Sequence, residues 1–511
     1  MAGRRYRHPC RLGARGTAVL RLGGEAPSLR AIFRADASVD IGSGHVMRCL
    51  CLADRLAAAG VETVFVSRDL PAFLQRRLEA GRHRSISLSR SSCMSEVTDV
   101  EETLRGIDTA DLIILDHYGL GAAWERVARS YARVLAIDDI GRVHESDLLL
   151  DQNFYLEAQA RYEGRLASGA IALLGPRYAL LRPEFREGRS VASFRDRGVG
   201  RILVSLGGMD RDDVTSVALE AIDQANISGV HVDVVVGAIH PASARIRKWC
   251  SARARSRLHV QVSNIAELMV AADLAIGAGG QSAWERCSVG LPSIAICVAD
   301  NQREVVREGA RAGFLLGVES IPTAEQLAED IRLFVRRPTM LEAMSRRGYD
   351  IVDARGVDRL ATILCPPTVI VRAARMEDAR SIYGWRTDEA VRQASRDAAL
   401  FSYDEHCAWM RRVLADSRRM LLIGECEGRP IGAIRFDLQE SKAEVSIFVD
   451  PEQKGRGLGL AILRAGERHL AQRIPEVERI EAWVNEGNRA SEGLFGRAEY
   501  EPRMRFFEKR I

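Results

Sequence analysis

Four short runs of this chain are almost wholly apolar and then break into acidic or glycine-rich turns. They are ADLIILDHYG at 110–119, ARVLAIDDIG at 132–141, RILVSLGGMD at 201–210 and ADLAIGAGG at 272–280. Runs of this kind lack the alternation of half-exposed strands, so both of their faces must be covered. Segments of helical periodicity lie between such runs; GHVMRCLCLADRLAAAG at 44–60, closing on Gly60, is the clearest. Buried strands alternating with amphipathic helices predict an α/β fold, with parallel sheets and helices on both faces. Ligands of such sheets bind at the carboxyl ends of the strands.

This grammar occurs twice, over 31–190 and again over 198–355, and a polar, arginine-rich stretch at 182–201 reads as the linker between them. Two such halves predict a pair of Rossmann-like domains with a cleft between them, as in a two-domain nucleotide-sugar fold. Residues 368–511 follow a double proline and read differently: antiparallel strands in RPIGAIRFDLQESKAEVSIFVD, then a glycine turn feeding a long helix. That block is α+β. The 511 residues thus divide into three domains, in keeping with about 100–200 residues each. Residues 1–30 carry seven arginines and one acidic residue and read as a disordered basic extension.

The bulk numbers exclude several classes. A net charge of +4 is too small to argue for a nucleic-acid partner. No stretch approaches the roughly 20 apolar residues of a membrane span. Ten scattered cysteines without a CxxC pair point to a reduced, cytoplasmic protein without structural zinc, and no metal is expected elsewhere. Oligomeric state is left open by the sequence.

The glycine turns carry the chemistry. GAGGQSAWE at 277–285 places Gly279, Gly280 and Ser282 between a strand and a helix, an arrangement suited to a diphosphate. Glu285 lies one turn into that helix and suits ribose hydroxyls, while Gly207 and Gly208 offer a second turn. In IGSGHVMR at 41–48, His45 follows two glycines at a predicted helix start. A neutral imidazole there is a candidate general base. Asp36, His45, Asp116, His117, Tyr118, Asp138 and Asp139 fall at or just after predicted strand ends, where they can line one crevice. In VDPEQKGRGLG at 449–459, the backbone of Lys454, Gly455, Arg456, Gly457 and Gly459 can wrap a pyrophosphate, with Val449 leading in and Asn488 following later.

On these residues 368–511 resembles the GCN5-related N-acetyltransferases, through VDPEQKGRGLG and VNEGNRASEGLFGRAEY. The resemblance implies acetyl-CoA as co-substrate. The stretch 385–410 is similar to the subgroup that acetylates the 4-amino group of a UDP-linked amino sugar. Glu444 is the best-placed base, while Leu494-Phe495 stands where many members carry a tyrosine general acid, leaving Tyr500 or water to reprotonate the thiolate. Glu499 replaces the usual glycine. Residues 31–355 resemble the nucleotide-sugar hydrolases of pseudaminic acid biosynthesis, through FRADASVDIGSGHVMRCLCLA, DHYGL, LLDQN, SLGGMD and GAGGQSAWERCSVGLP, and this resemblance implies a GT-B-like pair of Rossmann-like domains. That resemblance implies hydrolysis of UDP-2,4-diacetamido-2,4,6-trideoxy-β-L-altropyranose to UDP and free sugar, with His45 as base and Arg34, Tyr118 and Asn301 near the sugar. Three rival readings stand beside it: a sugar- or lipid-directed glycosyltransferase in front, a protein N-acetyltransferase behind, or a non-catalytic UDP-sugar-binding regulator.

Overall fold

The computed structural model describes residues 29–38, 41–89, 95–105, 107, 109–208, 210–238, 240–366, 368–394, 399–426, 428–453, 458–485 and 488–501. The basic extension up to residue 28 and the loop core Lys454, Gly455, Arg456 and Gly457 lie outside the described residues.

The first sheet holds β1 (Arg30–Ala35), β2 (Glu62–Ser67), β3 (Arg84–Ser87), β4 (Leu112–Asp116), β5 (Arg133–Ile137), β6 (Leu148–Asp151) and β7 (Ile171–Leu174), in the order β3-β2-β1-β4-β5-β6-β7. Every pairing is parallel. Successive residues of one strand feed two different cores. Phe33 and Ile114 pack under the helix Gly44–Ala57, whereas Ile32 and Ile113 pack on the other face with Trp124. Each such fully buried side chain contributes about 1.5–3 kcal/mol. That two-sided burial is why these runs show no alternation.

The second sheet repeats the plan with β8 (Arg201–Ser205), β9 (His231–Val236), β10 (Ser256–Val260), β11 (Leu274–Ala278), β12 (Ser293–Ile296) and β13 (Leu316–Val318), in the order β10-β9-β8-β11-β12-β13. In each sheet the strand order reverses once, between β1 and β4 and between β8 and β11. Those switch points open the crevices where ligands sit in doubly wound sheets.

The stretch read as the linker, 182–201, contains a helix, Pro183–Val191, with proline opening its first turn. Phe185 anchors it in the second half's core, and the backbone carbonyls of Ser288, Tyr349 and Val352 capture Arg189. Its arginines hid this anchoring because one of them, Arg189, is a half-buried staple and not a solvated charge. The helix Gly356–Leu364 returns to the first half: Leu360, Ala361 and Leu364 join its core, and Asp358 pairs with Arg55 at 2.8 Å. Gly356 is required at this return, since a Cβ there would meet the Tyr178–Ala179 backbone at 2.3–2.6 Å.

The third sheet is β14 (Ile370–Ala373), β15 (Arg419–Cys426), β16 (Arg429–Gln439), β17 (Lys442–Val449) and β18 (Arg479–Ala482), in sequence order. The first four pair antiparallel, and β18 pairs parallel with β17. That last pairing covers only Lys442–Val445, so β17 runs on to Val449 without β18 beside it.

Candidate active site

His45 occupies the first turn of the helix Gly44–Ala57, directly past β1. Gly42, with φ of +80°, turns the chain into that helix. Asp116 closes β4, the neighbour of β1 across the switch point. The two side chains meet there, with His45 Nδ1 2.6 Å from Asp116 Oδ1. Arg48, one turn further along the helix, donates to the same carboxylate from Nε and Nη2, both at 2.6 Å, and to Asp139 from Nη1 at 3.0 Å. Burial alone would raise the Asp116 carboxyl, but Arg48 and then His45 outweigh it and hold it well below the usual carboxylate range. In the tautomer with its proton on Nδ1, His45 donates to the ionised Asp116 and presents Nε2 as the accepting nitrogen. The ring of Tyr118 stands edge-on to His45, with centroids 4.6 Å apart.

The second half supplies the opposing wall. Gly207 follows β8 with φ of +101°, and Gly279 and Gly280 follow β11, so both glycine turns flank one switch point. A Cβ on Gly279 would meet Val306 Cγ2 at 2.2 Å, which closes that position to any other residue. Gly280 caps the helix Gln281–Ser288, which carries Ser282 and Glu285. Glu285 lies 3.5 Å from Arg182, and burial raises its carboxyl despite that arginine.

The two walls touch. Asn301 Nδ2 donates to the Tyr118 hydroxyl at 2.8 Å, joining two residues that the sequence placed near one sugar. Gln281 bonds Gln152 and donates to the Leu180 carbonyl, while Leu180 N donates back to Gln152. Arg161 reaches across to Glu304. Arg34, in contrast, is not brought to the cleft surface. It is 1% exposed, and Asp36 and Asp99 take its guanidinium at 2.7–3.0 Å. Asp36 in turn pairs with His117 at 3.2 Å, and Asp138 is committed to Arg142, Tyr162 and the amide of Gly141. Arg48, Gln152 and Gln281 were not singled out by sequence. Arg48 had a signal, its three-residue spacing from His45 on one helical face.

Among the described residues, Asp210, Asp213 and His240 place ligand atoms within 4.8 Å of one another. Asp210 accepts from the amides of Val214 and Thr215, and His240 Nδ1 from that of Ala242.

In the third domain Glu444 lies on β17 opposite Asp437 and Glu481, just before β17 and β18 part. Gly459 opens the helix Leu458–Arg473 close to Val449; a Cβ on it would lie 3.5 Å from Val449 Cγ2. Asn488 caps the helix Arg489–Arg497 by accepting from Ser491 N at 3.1 Å. Tyr500 donates to Glu467 at 2.7 Å, and burial followed by Glu467 pushes its hydroxyl pKa up. His406 sits among Tyr383, Phe401, Tyr403 and Trp409. No helix among the described residues is long and apolar enough to cross a membrane.

Residues 380–500 match the model of the acetyltransferase (GNAT) family. The front of the chain is similar to the spore coat polysaccharide biosynthesis protein SpsG of Bacillus subtilis (strain 168), with 25% identity over 340 residues, 65% of this chain and 96% of that protein. It is also similar to the UDP-2,4-diacetamido-2,4,6-trideoxy-beta-L-altropyranose hydrolase of Campylobacter jejuni, with 24% identity over 288 residues, 56% of this chain and 98% of that protein. Among solved structures, MurG of Acinetobacter baumannii aligns with 12% identity and a TM-score of 0.48, over 66% of this chain and 99% of that one. The chain thus joins a front part similar to SpsG and to that UDP-sugar hydrolase to a C-terminal region that matches the GNAT acetyltransferase model.

Proposed function

We propose that the front part hydrolyses UDP-2,4-diacetamido-2,4,6-trideoxy-β-L-altropyranose, and that the rear domain makes this substrate by acetylating the 4-amino group of the preceding UDP-amino sugar. The observation that carries the reading is the His45–Asp116 pair at one switch point, with the Gly279–Ser282 turn at the other and the Tyr118–Asn301 bond between the two halves. The diphosphate lies on that turn, against the positive end of the helix Gln281–Ser288. His45 Nε2 takes a proton from water as the water oxygen bonds to C1. The C1–O bond breaks with inversion, and its electron pair leaves on UDP, where N–H donors at the turn stabilise the charge. Asp116 holds the Nδ1 proton throughout. Tyr118 and Asn301 face the sugar, Glu285 the ribose, and Gly207 and Gly208 keep the floor open. Arg34 acts at one remove, through Asp36 and His117.

In the rear domain the CoA diphosphate lies on the 454–459 turn beside Val449 and Asn488. Glu444 takes a proton from the substrate amine, the nitrogen bonds to the thioester carbonyl, and the thiolate leaves and is reprotonated. Water is the simpler proton source, because Glu467 already holds the Tyr500 hydroxyl. Neither step uses a metal, and both substrates are small molecules of the cytoplasm.

Hydrolysis in heavy-oxygen water tests the front half. Label in the free sugar and none in UDP supports water attack at C1, and label in UDP sinks it. His45→Gln is expected to slow UDP release by about 10²–10⁴-fold, and an unchanged rate removes His45 from the base role.

A further inference from the structure

The second half holds a buried cation that makes no ion-pair contact among the described residues. Arg286 is 1% exposed and forms no ion pair among the described residues; Glu285, the one acid that acts on it at longer range, pairs with Arg182. It is the sixth residue of the helix Gln281–Ser288, and its side chain runs back toward the helix start. There Nη2 donates to the Ala278 carbonyl at 2.7 Å and Nη1 to Ser282 Oγ at 3.1 Å, while buried Nε has no partner. Arg195, by comparison, gives all three of its nitrogens to backbone carbonyls around the ends of the helices Ile265–Ala271 and Gln281–Ser288. Helix C-termini favour a cation; the start of a helix opposes one.

The sequence is built to admit Arg286 at this place. A Cβ on Gly277 would meet Arg286 Nη1 at 2.5 Å, so glycine in β11 makes room for the guanidinium directly beneath the glycine turn. Burial pulls the group down to about 10, still charged at neutral pH. A buried cation without an ion-pair contact at the positive end of a helix is costly unless an anion completes it.

We infer that Arg286 is the positioning residue for the diphosphate of the nucleotide: it supplies charge from beneath the Gly279–Gly280 turn and commits the Ser282 hydroxyl as a donor toward the phosphates. Because Ser282 Oγ already accepts from Arg286, its own proton is free to point outward. The inference rests on the diphosphate reading of this turn, and it predicts discrimination by charge: Arg286 acts on the phosphates and leaves recognition of the nucleoside to other groups.

The test is calorimetric titration of the full chain with UDP and with uridine. Arg286→Met is expected to weaken UDP by about 10–100-fold and uridine by less than about threefold. Equal losses for both ligands, or an unchanged UDP affinity, overturn the inference while leaving the diphosphate reading standing. A wild-type chain that binds no UDP overturns both. Should Arg286→Met fail to fold, Ser282→Ala carries the test: UDP weakened by about three- to tenfold with uridine unchanged supports the donor role, and unchanged UDP affinity overturns it.

Discussion

Asp116→Asn is the most informative single change in the front half. The carboxylate serves two partners at once: Oδ1 faces His45 Nδ1 and Arg48 Nη2, and Oδ2 faces Arg48 Nε, all at 2.6 Å. An asparagine has one oxygen to offer. With its NH2 at the Oδ1 place, His45 Nδ1 must become an acceptor, Nε2 carries the proton, and the base is lost. With its NH2 at the Oδ2 place, two N–H groups oppose each other at Arg48. Breaking a buried ion pair costs about 3–5 kcal/mol. Arg48 keeps Asp139 at 3.0 Å, so about 2–3 kcal/mol is expected here. The rate of UDP release is expected to fall by about 10²–10⁴-fold, with KM changed by less than about threefold. Acetyl transfer in the same sample is the internal control, since the rear domain holds none of these residues. UDP release within about threefold of wild type, in a folded variant, refutes the dyad.

Three further outcomes are expected. Glu499 holds φ of +68°, the left-handed region, and Glu499→Gly is expected to stabilise the rear domain by about 0.5–1 kcal/mol, read as a higher Tm; a lower Tm contradicts this. Front-half stability is expected to fall as pH rises through 7 and again through 9. Burial lifts Asp151 from 3.8 to about 7, and its contribution is full below pH 3.8 and lost above 7. Burial lowers His144, but Asp138 and Glu125 outweigh it and raise it from 6.5 to about 9, so its contribution is full below pH 6.5 and lost as pH passes 9. Denaturant midpoints followed across pH are expected to lose the lower step in Asp151→Asn and the upper step in His144→Gln. Arg195→Met strands five backbone carbonyl contacts and is expected to destabilise the second half by about 3 kcal/mol or more, checked by urea unfolding.

The sheets were legible because their strands are buried on both faces. Ile32 and Phe33 feed different cores, and that leaves a continuous apolar run in the sequence. The glycine turns were legible because β8 and β11 end in them, where local backbone geometry speaks through residue type. The helix Pro183–Val191 was not, because the binding of Arg189 by three carbonyls from distant segments leaves no local pattern. Arg34 was misplaced for the same reason: Asp99, its main partner, lies 65 residues away. Arg286 sat inside a quoted motif and read as an ordinary helical arginine, because only the fold reveals that it is buried without an ion-pair contact.

The most direct test of the fusion is a one-pot NMR assay of the intact chain. UDP-4-amino-4,6-dideoxy-N-acetyl-β-L-altrosamine is supplied with and without acetyl-CoA. The account predicts N-acetylation first, then free UDP with the free diacetamido sugar, and no UDP release when acetyl-CoA is withheld. Rapid UDP release from the unacetylated sugar, or acetylated UDP-sugar that accumulates unhydrolysed, contradicts it.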